Sequence, residues 1–172
     1  MKSTQPQTDR VRAHFRETQL VSAEPEAVFP LLCPVREFDW IRTWDCEVVY
    51  TETGVAEQGC VFQTGMPREG GVRQLSSAGG TDTWVVSRYE PAKGISFIRV
   101  NPVRTIRYDI DLERAGEGST ALTWQQEVTA LNEEGDRHVS ALRQEDFTVQ
   151  IRTVEKMLEH YLETGEALEI AY

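Results

Sequence analysis

Residues 105–130 read TIRYDIDLERAGEGSTALTWQQEVTA, and their period is two. Ile106, Tyr108, Ile110 and Leu112 share one face of a first strand. Leu122, Trp124, Gln126 and Val128 share the matching face of a second, and the glycines at 116 and 118 mark the turn. Pairing Leu112 with Leu122 also pairs Ile110 with Trp124, Tyr108 with Gln126 and Ile106 with Val128. The same register sets Arg107 opposite Glu127 on the other face, a favourable cross-strand pair. A slip of one residue would turn the whole apolar face outward, so the register is strongly specified.

The strand period extends upstream. Trp44, Cys46, Val48 and Tyr50 alternate with Asp45, Glu47 and Thr51, which predicts a strand with one wet face. A turn over Glu52 to Gly59 returns the chain as Cys60 to Thr64. Thr83 to Tyr89 and Ile95 to Val100 are further strands, joined by Pro91–Gly94 and ended by Asn101-Pro102. A four-residue loop between them, with Gly94 in the left-handed position, would set Trp84, Val86 and Arg88 on the face of Ile95, Phe97 and Arg99. A three-residue loop would set Val85, Ser87 and Tyr89 there. Gly65 to Thr81 holds five glycines and a proline and reads as a long loop, with Gly70-Gly71 and Gly79-Gly80 as hinges of a flap. Arg12 to Val21 is a first strand. Glu24-Pro25-Glu26 opens a short helix with proline in its first turn, Pro30 and Pro34 keep it short, and Val35 to Ile41 forms a second.

After a polar turn at Leu131 to Gly135 the period becomes helical. Phe147, Ile151, Val154, Leu158, Tyr161 and Leu162 recur at three and four, with Met157 beside them. Ser140 as N-cap and Gly165 as stop predict a helix of about 25 residues, roughly 37 Å long. Such a helix needs a concave apolar partner, and the strands supply one. The fold class is therefore α+β, a curved antiparallel sheet of about seven strands wrapped around a long C-terminal helix.

The totals narrow the function. At 172 residues the chain has the length of one domain; residues 1–10 read as a disordered lead and 11–172 as the domain. A net charge of −10 opposes binding to nucleic acid or to an anionic membrane face. No apolar run approaches the roughly 20 residues of a membrane span. The polar N-terminus has no secretion signal, and a cytoplasmic address follows by default. Cys33, Cys46 and Cys60 form no CxxC pair and read as buried free thiols. His14, His138 and His160 show no metal-binding spacing, so neither a metal nor a cofactor is expected.

The order of elements, with the Ser22-Ala23-Glu24-Pro25-Glu26-Ala27-Val28-Phe29 helix entry, resembles the START/polyketide-cyclase superfamily and its helix-grip fold. The Tyr89-Glu90-Pro91-Ala92-Lys93-Gly94 hairpin, the Gly118-Ser119-Thr120-Ala121-Leu122-Thr123-Trp124 strand start and the closing His160-Tyr161-Leu162-Glu163-Thr164-Gly165 add to it. The closing segment looks like bacterial members of that superfamily. The resemblance covers about residues 11–168. It implies a cavity between sheet and helix for a hydrophobic small molecule such as a lipid, quinone or aromatic polyketide. No catalytic motif unites the superfamily, and none is carried over to a residue here.

Trp40, Trp44, Trp84 and Trp124 are core residues by default, and cavity liners on the alternative reading. Tyr108 and Trp124 face the helix, while Trp40 and Trp44 flank the expected mouth. Phe97, Met157 and Tyr161 complete the apolar lining. Arg99 shares the phase of Ile95 and Phe97; the favoured reading lets it snorkel to water at its strand end, and the alternative gives it an anionic partner in protein or ligand. Gln126 opposite Tyr108 is expected to pair with it. If the protein is an enzyme of cyclase or dehydratase type, Asp39, Arg99 and His160 are the candidate catalytic groups. The leading reading is a binder of a hydrophobic small molecule. The others are that enzyme and a co-chaperone-like interaction module using the Gly65–Thr81 loop. Homodimerisation is common among soluble proteins, but no segment specifies an interface.

Overall fold

The computed structural model describes residues 9–65 and 79–169. Seven strands form one antiparallel sheet: β1 (Arg12–Val21), β2 (Glu47–Tyr50), β3 (Val61–Thr64), β4 (Asp82–Glu90), β5 (Gly94–Val100), β6 (Arg104–Gly116) and β7 (Ser119–Ala130). Their spatial order is β1-β7-β6-β5-β4-β3-β2. Between β1 and β2 lie α1 (Pro25–Val28), a 3₁₀ turn (Phe29–Leu32) and α2 (Glu37–Trp40). After β7 come α3 (Glu133–Ala141) and α4 (Gln144–Thr164). Most of the expected Gly65–Thr81 loop, Gly70-Gly71 included, and the first eight residues of the N-terminal lead lie outside the described residues.

The β6/β7 register is the one read from the alternation, with Leu112 opposite Leu122, Ile110 opposite Trp124, Tyr108 opposite Gln126 and Ile106 opposite Val128. Arg107 meets Glu127 on the convex side at 3.7 Å. Pairing continues through β5 and β1, so the concave face is ruled into rows. One row runs Trp84, Arg99, Ile106, Val128 and Ala13, and the next Val86, Phe97, Tyr108, Gln126 and Phe15. A third runs Tyr89, Ile95, Ile110, Trp124 and Glu17.

The β4/β5 turn corrects the expected one. Glu90 pairs with Gly94, leaving a three-residue loop, and the register shifts between Val86 and Arg88. That bulge at Ser87 lets Tyr89 join Trp84 and Val86 on the concave face, and it turns Arg88 to the convex face beside Asp111, 2.5 Å away. The left-handed position belongs to Ala92 (φ 59°), not Gly94. Because a Cβ is strained there, Ala92→Gly is expected to leave stability unchanged or raise it by up to about 1 kcal/mol in urea unfolding, against the usual cost of added backbone entropy.

β2 departs from the expected wet-and-dry alternation. All four of its residues are exposed, Val49 to 57%, because β2 is the sheet edge and pairs only with β3. The turn ahead of β3 is organised by Glu57, whose carboxylate accepts from the Thr51 hydroxyl at 3.0 Å, the Thr53 hydroxyl at 2.5 Å and the Glu52 amide.

The long helix is also shorter than expected. The segment from Glu133, expected to begin as a polar turn, opens α3 with Asn132 as cap, its side chain accepting from the Gly135 amide at 3.0 Å. The chain leaves the helical region at Leu142 and Arg143, and α4 runs 21 residues, about 32 Å. Ser140 therefore caps nothing. Gly165 ends α4 in the left-handed conformation (φ 74°), as its position predicts. Phe147, Ile151, Met157 and Leu158 are buried on α4, with Val154, Tyr161 and Leu162 packed against the core. Polar side chains pin α4 along β1: Thr148 donates to Glu17 at 2.7 Å, Arg152 pairs with Glu17 at 3.0 Å, and Glu159 accepts from the Ser22 amide at 2.7 Å. No helix among the described residues is long and apolar enough to cross a membrane.

Candidate functional site

The concave face gathers its charges at one corner. Asp82 opens β4, Arg99 lies near the end of β5, Arg104 opens β6, and Asn101 sits in the β5/β6 connection. The Asp82 carboxylate accepts from Arg99, from Arg104 Nη2 at 3.0 Å and from Asn101 Nδ2 at 2.8 Å. Asn101 Oδ1 in turn accepts from the amides of Val103 and Arg104, both at 3.0 Å. All four side chains are buried. Arg99 does not snorkel: its residue is 6% exposed, and its guanidinium lies 3.9 Å from the centre of the Trp84 ring. The strand-end reading failed because β4 places a carboxylate two residues before Trp84, within reach of the guanidinium. Burial lowers the guanidinium pKa, Asp82 raises it and Arg104 lowers it further. His138 on α3 feels the same corner, its pKa lowered by burial and then by Arg104.

Aromatic rings carry the surface inward from this corner. Trp84 donates to the Thr64 hydroxyl at 2.8 Å and stacks on Phe62 with centroids 5.1 Å apart. Its ring lies 5.6 Å from Phe97 and 6.2 Å from Tyr108, and Tyr108 lies 5.9 Å from Trp124. Burial pushes the Tyr108 phenol up. The Arg99 charge and the side chain of Gln126, its cross-strand neighbour, act against that.

Glu37 faces this belt from α2. Burial pushes its carboxyl up to about 8, and Arg99 acts in the opposite sense. Glu37 in turn raises Tyr108 and Cys46, the latter pushed up to about 12 by burial first. A Glu37 that keeps its proton while folded and releases it when unfolded makes rising pH favour unfolding between 4.5, its ordinary value, and about 8. Glu37→Gln should therefore gain on the wild type across that window. Discounted for the solvent contact that half-buried Glu37 retains, the gain is about 2 kcal/mol at pH 8.5 and near zero at pH 4.5, read from urea midpoints at the two pH values.

The other candidates fall as follows. Trp40 is buried and donates to the Leu31 carbonyl at 2.9 Å; Trp44 is half-buried and donates to the Pro34 carbonyl at 2.7 Å. Both hold the segment 29–44 to itself. Met157 is buried on α4, and Tyr161, half-buried on the same helix, reaches Arg36. Asp39 is exposed and accepts from Arg36 Nε at 2.5 Å. His160 is half-buried on α4. The structure joins Arg99 to Asp82, Arg104 and Trp84 rather than to Asp39. Cys33, Cys46 and Cys60 are free and buried. Among the described residues no group of His, Cys, Asp or Glu is arranged to hold a metal.

Four positions of this buried corner and its surroundings escaped the sequence reading, and each had a signal. Glu37 is three residues before Trp40 and so shares the inner face of α2, opposite Asp39. Asp82, Arg104 and Gln19 are two residues from Trp84, Ile106 and Val21, in the inward phase of their strands. Gln19 is 1% exposed, and among the described residues neither atom of its amide has a partner; the Trp124 Nε1 and the Arg99 Nε are likewise buried and without a partner among them.

A family model described as polyketide cyclase / dehydrase and lipid transport matches residues 12–160. The chain belongs to this family. Its fold is shared by the Zhui aromatase/cyclase from Streptomyces sp. R1128, with a TM-score of 0.63 at 13% identity over 92% of this chain and 100% of that one. Norcoclaurine synthase from Thalictrum flavum gives 0.62 at 9% identity over 91% and 99%. DynU16, a protein of the dynemicin biosynthetic locus, gives 0.55 at 18% identity over 89% of this chain, which spans about half (48%) of the DynU16 chain. No curated protein matches in sequence.

Proposed function

We propose that this protein binds an amphipathic small molecule between the concave sheet face and α4. The observation that carries the reading is a set of buried polar groups on the concave side, from Gln19, Arg99 and Trp124, with no partner among the described residues. Leaving such groups dry and unpaired costs about 1–3 kcal/mol each, and a ligand or ordered water removes that cost. The ring belt of Trp84, Phe97, Tyr108 and Trp124 supplies apolar area beside them. The family's description names lipid transport and cyclase or dehydrase chemistry, and both use such a space.

A second reading, a cyclase or dehydratase, is supported by Glu37. Its raised carboxyl keeps a proton near neutral pH, beside the Tyr108 phenol and the Arg99 charge, which suits a general acid. The test of the first reading is native mass spectrometry of gently purified protein, before and after organic extraction, with 1-anilinonaphthalene-8-sulfonate (ANS) titration of the extracted protein. A retained mass lost on extraction, together with saturable one-to-one ANS binding, is expected. Neither mass nor saturable binding would overturn it.

A further inference from the structure

Resting on the binding reading above, we infer that the ligand carries a planar carboxylate, seated in the plane of the Arg99 guanidinium with its apolar body along Phe97 and Tyr108. An arginine presents five N–H donors in a flat fork. Among the described residues the Arg99 fork makes one hydrogen bond, from Nη2 to Asp82, and its Nε is buried without a partner. Trp84 covers one face of the guanidinium at 3.9 Å. A partner therefore approaches edge-on, the geometry in which a carboxylate meets two N–H groups at once. Asp82 does not take that second role: its Oδ2 receives Arg99 and Arg104, and its Oδ1 receives Asn101.

The neighbouring groups favour an anion with an apolar tail. Trp84 and Arg99 form one row, and Phe97 and Tyr108 lie in the next, one step of two residues along the same strands. A tail entering from Arg99 meets those rings first and reaches the level of the unpartnered Trp124 N–H another step on. Arg99 and Ile95, the residue in the Trp124 row on the same strand, are four positions apart, about 13 Å. The span suits an acyl chain or a fused-ring acid equally.

The matched probes 1-pyrenebutyrate and 1-pyrenebutanol differ only in the charged end. On extracted wild-type protein at pH 7, pyrenebutyrate is expected to bind at least ten-fold tighter by fluorescence titration. In Arg99→Gln the two affinities should converge, through loss of pyrenebutyrate affinity. In Arg99→Lys, which keeps the charge and loses the fork, the preference should drop to about three-fold; this variant serves if Arg99→Gln does not fold. Equal affinities in the wild type, or a preference that survives both substitutions, would overturn the carboxylate assignment and leave the binding reading standing. Failure of both pyrenes to bind overturns the binding reading and this one with it. Displacement of pyrenebutyrate by dodecanoate indicates an acyl body and by 2-naphthoate an aromatic one; displacement by neither, at concentrations that saturate albumin, overturns the assignment.

Discussion

Asp82→Asn is expected to destabilise the fold by about 3–5 kcal/mol, because it removes the carboxylate that two buried guanidinium groups share. Asparagine keeps the shape of the side chain, so no cavity opens, and the loss isolates the charge. The interaction is worth little as a source of net stability, since desolvating three ions cancels most of their attraction. Breaking it is costly because Arg99 and Arg104, 6% and 1% exposed, are left charged where water cannot reach them. For a chain of this length the loss corresponds to a drop in melting temperature of roughly 6–20 °C. A double-mutant cycle with Arg99→Met separates the pair from its surroundings: the second substitution should cost far less in the Asp82→Asn background than in the wild type. A loss below about 1 kcal/mol for Asp82→Asn would show that this corner is wetter than its burial implies.

Leu158→Ala is expected to cost a further class of energy, about 2–5 kcal/mol in urea unfolding. Leu158 is fully buried (0% exposed) on the apolar stripe of α4. The helix packs against β1 and against α2, two separate elements that are not expected to collapse together into the space. The polar contacts of α4 with Glu17 and Ser22 lie on its β1 side and should hold the helix in place, so the loss reports packing rather than undocking. The substitution removes no ring of the belt, and ANS binding should be retained. A loss near zero would mean that the helix is held by its polar contacts alone.

The alternation of β6 and β7 was fully legible, because a long hairpin with one apolar face admits a single register. The β4/β5 hairpin was not. Both loop lengths were open, and the bulge at Ser87 combines features of each: the short loop, and Trp84 and Val86 on the inside. A bulge adds a residue to one strand without leaving a mark in the alternation of its partner. The helix stripe from Phe147 to Leu162 was legible for the same reason as the hairpin. Its start was misplaced because Ser140 looks like a cap while the chain actually turns at Leu142 and Arg143.

The sheet wrapped around a C-terminal helix was determined by the sequence alone, since periods of two and of 3.6 dictate which faces are apolar and those faces must meet. Only the tertiary structure decided what the inside can do. The pairing of Arg99 with Asp82, and the action of Arg99 on Glu37, join residues 17 and 62 positions apart, and their chemistry depends on burial and on which charges lie across the fold. A strand's phase tells which way a side chain points. It does not tell what waits for it on the other side, and for Arg99 that is the Asp82 carboxylate and the face of Trp84.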